Sequence, residues 1–113
     1  MMRRYSLTVI EGPDIGRVHH LLLGATIIGR APQDRQDEPH LHHWVLIDKT
    51  VSREHIEITL KNPGVPILRH LSTTNDTFVN RRKVTEENLQ VGQIIQMGQT
   101  ALLLEVSSTS IKL

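Results

Sequence analysis

At 113 residues and 12.8 kDa the chain has the size of one domain, and Leu, Ile, Val and Phe supply 35 of those residues, well above the roughly 20% below which disorder is expected. Thirteen basic against twelve acidic side chains leave a formal charge of +1, and only three residues are aromatic, which excludes both a strong field for a nucleic-acid backbone and a stacking platform for single strands. The absence of cysteine rules out a disulfide framework, thiol chemistry and Cys-based zinc sites.

Taken in chain order, Tyr5 to Ile10 alternates Tyr5, Leu7 and Val9 with Ser6 and Thr8, the period of a half-buried strand. Glu11-Gly12-Pro13-Asp14 reads as a turn. A run from Arg17 to Leu23 is expected to pair with Ala25 to Gly29 across Gly24. The stretch Leu21 to Gly29 is too short to span a bilayer, which takes ~18 apolar residues. Met1-Met2-Arg3-Arg4 leads into alternation, not into the apolar core of a signal peptide. No membrane insertion and a cytoplasmic setting are therefore expected. Ala31 to His43 is a polar loop containing His40, His42 and His43. Strands follow at Trp44 to Ile47 and at His55 to Leu60, where Ile56, Ile58 and Leu60 share a face. After the turn Asn62-Pro63-Gly64 come a strand from Val65 to Leu71, a loop from Ser72 to Asp76 and a short strand from Thr77 to Val79. A basic hairpin edge at Arg81-Arg82-Lys83, a turn around Glu86 to Asn88, and strands at Ile94 to Met97 and Ala101 to Val106 complete the chain. Turn signals every eight to twelve residues predict an all-β, two-sheet antiparallel β-sandwich. The expected domain spans 5–106, between short tails at 1–4 and 107–113.

In such a sandwich the end loops carry function. Three segments stand out: Ile28-Gly29-Arg30, Val51-Ser52-Arg53-Glu54-His55, and the stretch from Thr73 to Asn80. An arginine offers a planar fork for a phosphate group, and short hydroxyl and amide side chains satisfy the remaining oxygens. By that chemistry Arg30 is the candidate anion fork, Ser52 and Thr74 are hydroxyl donors, and Asn75 carries both a donor and an acceptor for a passing peptide backbone.

These segments, in this order, resemble the forkhead-associated (FHA) domain family. The family pattern Gly-Arg, Ser-Arg-x-His, Asn-Gly-Thr-x-Val-Asn-Gly is met by Gly29-Arg30, by Ser52-Arg53-Glu54-His55 and by Asn75-Asp76-Thr77-Phe78-Val79-Asn80, followed by Gly92, Ile94 and Gly98. The resemblance implies an FHA-type sandwich that binds a phosphothreonine segment of a partner protein without catalysis, downstream of a Ser/Thr kinase and without a cofactor. It assigns Arg30 and Ser52 to the phosphate, Arg53 to the phosphate rim or peptide, and Asn75 to the ligand main chain. Gly29, His55 and Asn80 become residues that structure the loops. The alternative is a phosphate-independent interaction module built on the same sandwich.

Two other readings carry less. Ser52, His55 and Asp48 could be read as nucleophile, base and orienter, but no nucleophile elbow or oxyanion-hole glycine pattern accompanies them. His40, His42 and His43 in one loop do not amount to the convergent ligand set of a metal site. The chain departs from the family pattern at Asp76 and Arg81, where glycine is usual. A positive φ is expected at Asp76, and the loop after Arg30 is unusually long.

Overall fold

The computed structural model describes residues 2–32 and 38–109. Eleven strands form two sheets: β1 (Met2–Glu11), β2 (Val18–His20), β3 (Gly24–Gly29), β4 (Leu41–Val45), β5 (Ile56–Leu60), β6 (Ile67–His70), β7 (Phe78–Val79), β8 (Arg82–Lys83), β9 (Glu86–Asn88), β10 (Ile94–Met97) and β11 (Thr100–Thr109). The first sheet runs β2-β1-β11-β10-β7-β8 and the second β4-β3-β5-β6-β9. The result is the all-β two-sheet sandwich that the alternation predicts.

Period-two alternation sends one face of each strand into the space between the sheets. Tyr5, Leu7 and Val9 of β1, with Leu102 and Leu104 of β11 and Ile95 and Met97 of β10, pack there against Ile28, Trp44, Ile56, Ile58 and Leu68 of the second sheet. The β1/β11 ladder is the longest, from Met2 opposite Thr109 to Glu11 opposite Ala101, with a bulge between Val9 and Glu11. It extends past the margins expected from the sequence, because residues 2–4, read as a tail, pair with residues 107–109.

Three expectations are corrected. The segments on either side of Gly24 do not form a hairpin: β2 pairs with β1 in the first sheet, whereas β3 pairs with β4 and β5 in the second. Leu21, buried and bonded through its amide to the Tyr5 carbonyl at 2.9 Å, closes the first sheet before the chain crosses over. Gly24, at φ +103°, then opens β3 where a Cβ would lie 2.2 Å from the His40 carbonyl oxygen. Glu86 to Asn88 is a strand on the edge of β6, not a turn. Finally, β4 begins at Leu41, so His42 and His43 lie on a strand and not in a loop.

β4 runs parallel to β3, whereas the other pairings are antiparallel. A parallel neighbour requires the chain to return to its starting end, typically through about a dozen residues. That requirement accounts for the length of the connection between Gly29 and Leu41.

The free edge of β4 is covered by side chains from the β1–β2 turn. Buried Asp14 accepts the Ile47 amide at 2.8 Å, and Arg17, paired with Asp14, donates to the Val45 carbonyl at 2.9 Å. Satisfying these edge groups in this way blunts a template for pairing with another chain. Behind them His19 stacks on Trp44 with ring centroids 5.0 Å apart.

Candidate functional site

The three segments singled out in the sequence meet at one end of the sandwich. Beyond β3 and β5 the two chains stay bonded: the Arg30 amide donates to the Ser52 carbonyl (3.0 Å), the Ala31 amide to Arg53 (3.1 Å), and the His55 amide to Ile28 (3.0 Å). Gly29 makes this possible, because a Cβ there would lie 2.0 Å from the Arg53 carbonyl oxygen and 2.7 Å from that of Ser52. On the other side the Leu71 and Ser72 amides both donate to the His55 carbonyl, at 2.9 and 3.2 Å. The residues around His55 are thus stitched between the 29–31 and 71–72 segments.

The fully buried His55 ring adds a second layer of ties. Its Nδ1 accepts the Ser52 amide hydrogen at 3.1 Å, which leaves Nε2 to donate to the Asp76 carbonyl at 3.0 Å. Only the neutral imidazole protonated on Nε2 makes both bonds. Burial holds the ring below its ordinary pKa of 6.5; the Asp76 hydrogen bond opposes that shift and nearby His70 adds to it. His70 meets His55 edge-on and bonds Thr77 Oγ1 through Nδ1 at 2.7 Å.

At the loop tips four side chains converge. Ser52 Oγ lies 2.5 Å from Ser72 Oγ, 3.3 Å from Thr74 Oγ1, and accepts from Asn75 Nδ2 at 2.9 Å. Ser72 Oγ also accepts the backbone amides of Thr74 (3.2 Å) and Asn75 (3.0 Å), closing the loop on itself. This is a serine turn, in which the hydroxyl replaces a backbone acceptor. Arg53 is exposed on the wall of an open groove of about 940 Å³ that Ser52, Ser72 and Thr74 also line. Arg30, half-buried, neighbours Ser52 through the backbone, and its Nε donates to the Val51 carbonyl at 3.4 Å.

Of the residues chosen from sequence, the structure therefore brings Ser52, Thr74 and Asn75 into direct contact and sets Arg53 and Arg30 beside them. Gly29 and His55 order the loops around this cluster. Asn80 lies elsewhere: at φ 47° in the β7–β8 turn, it exchanges bonds with Ile94, its Oδ1 accepting the Ile94 amide and its own amide donating to the Ile94 carbonyl, both at 2.9 Å. Sequence reasoning missed Ser72, whose only signal was a hydroxyl inside a loop already marked as functional.

The positive φ expected at Asp76 is not there. Among the described residues the non-glycine residues with positive φ are Asn80 and Arg81. The Asp76 backbone is instead fixed by its carbonyl on His55, and its exposed carboxylate lies 3.4 Å from Lys83 Nζ.

The Ser52-His55-Asp48 reading also fails on geometry, since the His55 nitrogens are taken by backbone groups. Buried Asp48 faces away, accepting from the Thr50 amide (2.8 Å) and hydroxyl (2.6 Å), the Thr100 hydroxyl (2.7 Å) and the Gln99 amide (3.2 Å). Burial alone would raise its pKa, but these four hydrogen bonds outweigh it and hold the carboxyl below its ordinary value. His42 and His43 occupy successive positions on β4, and His42 Nε2 donates to the Leu23 carbonyl at 3.1 Å. No group of three or more potential ligands capable of holding a metal occurs among the described residues.

Comparison with known proteins places these features in a family. The FHA domain profile matches residues 26–98, which include all three loop segments. FhaA, an FHA domain-containing protein of Mycobacterium tuberculosis, is 36% identical over 101 residues, 89% of this chain and 18% of FhaA. Its FHA domain, crystallised in complex with the intracellular domain of Rv3910, superposes with a TM-score of 0.73 at 35% identity, covering 89% of this chain and 99% of that one. An oxoglutarate dehydrogenase inhibitor of Corynebacterium efficiens is 33% identical over 97 residues, 86% of this chain and 62% of the inhibitor. The chain thus spans less than two thirds of either full-length relative. A structure from a study of phosphothreonine-dependent FHA domain interactions superposes with a TM-score of 0.77 at 33% identity, covering 94% of this chain and 99% of that one.

Proposed function

Because the chain belongs to the FHA domain family, a family of non-catalytic modules, we propose that it recognises phosphothreonine in a partner protein. The observation that supports this reading is the convergence of Ser52, Thr74 and Asn75 on one cluster beside Arg30 and Arg53. A phosphothreonine brings about −1.5 to −2 charges and three acceptor oxygens. Arg30 supplies the bidentate fork, Ser52 and Thr74 donate hydroxyl hydrogens, Arg53 borders the phosphate, and Asn75 reaches the peptide main chain. The binding unit is taken as residues 5–106, with the β1/β11 ladder continuing outward to residues 2 and 109. Similarity to domains studied for phosphothreonine-dependent interactions, and to FhaA bound to an intracellular domain, supports phosphate dependence and an intracellular partner; a Ser/Thr kinase acting on that partner belongs to the same proposal.

The test is a degenerate phosphothreonine peptide library followed by calorimetry on the selected sequence. The phosphothreonine form is expected to bind more tightly than the phosphoserine form, and the unmodified peptide to show no measurable heat. Equal binding of the unmodified peptide would make the domain a phosphate-independent interaction module.

A further inference from the structure

The hydrogen bonds around Ser72 and Ser52 can be assigned by counting lone pairs. A serine hydroxyl has one hydrogen to give and two lone pairs to receive. Ser72 Oγ receives the Thr74 and Asn75 amide hydrogens, which fill both lone pairs. In the 2.5 Å contact with Ser52 Oγ, Ser72 must therefore be the donor. Ser52 Oγ then receives the Ser72 hydrogen and one from Asn75 Nδ2, so its lone pairs are full as well. Its own hydrogen has Thr74 Oγ1 as a neighbour, at a long 3.3 Å. A phosphate oxygen, which only accepts, is a better partner for that hydrogen than a neutral hydroxyl at this distance.

We propose that Ser72 is a positioning residue that commits the Ser52 hydroxyl to donating, so that the ligand phosphate meets a donor already oriented. This rests on the phosphothreonine reading of the site. The relay runs from the backbone amides of residues 74 and 75 through Ser72 to Ser52, and each hydrogen bond in such a chain polarises the next. Without Ser72, the Ser52 lone pair it occupied would be open to water or to the Thr74 hydroxyl hydrogen. The Ser52 hydrogen would then rotate among several acceptors, and ligand binding would have to order it. Ser72 itself does not have to touch the phosphate.

A double-mutant cycle with the library-selected phosphothreonine peptide tests the relay. Ser72→Ala is expected to weaken binding about ten-fold in the otherwise native domain, the scale of one hydrogen bond to a charged group. In a Ser52→Ala background the same change is expected to cost less than about two-fold, because the residue through which Ser72 acts is gone. A role confined to shaping the loop would show the same loss in both backgrounds, and that result would overturn the proposal. Nuclear magnetic resonance of the unliganded domain gives an answer that does not depend on peptide binding. The Asn75 side-chain amide signals are expected to move in Ser72→Ala about as far as in Ser52→Ala; signals unmoved by Ser72→Ala would refute the relay. Should the native domain bind no phosphopeptide, the proposed function fails, while the resonance experiment still decides whether Ser72 sets the hydrogen bonding of Ser52.

Discussion

His55 accepts the backbone amide hydrogen of Ser52 on Nδ1 at 3.1 Å, so the residue proposed to meet the phosphate is held by the ring three positions further along the chain. Protonating that nitrogen removes the acceptor and sets two N–H groups against each other. Burial already favours the neutral ring, lowering its pKa, while the Asp76 carbonyl and the Asp48 and Asp76 charges pull the other way and His70 adds to the lowering.

The pH dependence of stability follows from this. The unfolded state binds a proton at the ordinary value of 6.5, and the folded ring does so only at lower pH. The His55 contribution is therefore complete above about pH 6.5 and is lost as pH falls through the depressed folded value. His19 shifts in the same direction, first through burial and then through His42, His20 and Arg17. The measurement is thus best made in a His19→Gln background. Melting temperature is expected to fall between pH 6.5 and pH 5, and the slope to flatten when His55→Ala is added. At neutral pH His55→Ala itself is expected to cost about 2–4 kcal/mol by urea denaturation, from a buried cavity and an unpaired Ser52 amide.

Gly29→Ala tests the close approach behind the site. Its new methyl would meet the Arg53 carbonyl oxygen at 2.0 Å, so one of the two backbones has to move. Forced overpacking of this kind costs about 1–3 kcal/mol, and the displaced segment carries Ser52. Both a lower midpoint in urea and weaker phosphopeptide binding are expected. Unchanged binding would show that the ladder between residues 28–31 and 52–55 does not position the site.

The two departures from the family's glycines should respond to glycine with opposite signs. Arg81 sits at φ 69°, a left-handed conformation that costs a side-chain-bearing residue roughly 1–2 kcal/mol. Arg81→Gly relieves that strain against an unfolded-state penalty of about 0.4–1 kcal/mol, so a net gain of between zero and about 1.6 kcal/mol is expected. Asp76 is not at positive φ, so Asp76→Gly relieves no strain; it brings the entropic penalty of about 0.4–1 kcal/mol and loses the exposed contact with Lys83, and destabilisation is expected. Chemical denaturation of both variants checks the pair.

Arg30→Ala is expected to lower phosphopeptide affinity by two decades or more, since truncating one partner of a desolvated charge pair costs about 2–5 kcal/mol. Its effect on melting temperature should be small, because its Nε bond to Val51 is long, at 3.4 Å. An unfolded Arg30→Ala domain, or one that binds normally, would remove Arg30 from the site.

Much of this was legible locally. The alternation of Tyr5, Leu7 and Val9, and of Ile56, Ile58 and Leu60, revealed inward faces because a strand's side chains alternate regardless of its partner. The Gly29-Arg30 and Ser52–His55 motifs and the loop around Asn75 named the residues that the structure gathers at one end of the sandwich. The β2–β3 separation was not legible, because an apolar run across Gly24 suits a hairpin as well as a crossing between sheets. Nor was Glu86–Asn88 as a strand: its polar residues take that form only because β6 offers an open edge.

The sequence by itself determined the strand-rich class, the inward faces and the loop chemistry, since each depends on residue type and a period of two. The tertiary structure decided which strands became neighbours, that β4 runs parallel to β3, and that Asp48 serves Thr100 instead of His55. It also brought Ser72 within 2.5 Å of Ser52, a hydroxyl 20 positions away. Such contacts depend on how the whole ladder registers, and neither hydroxyl carries a local mark of the partner it will meet.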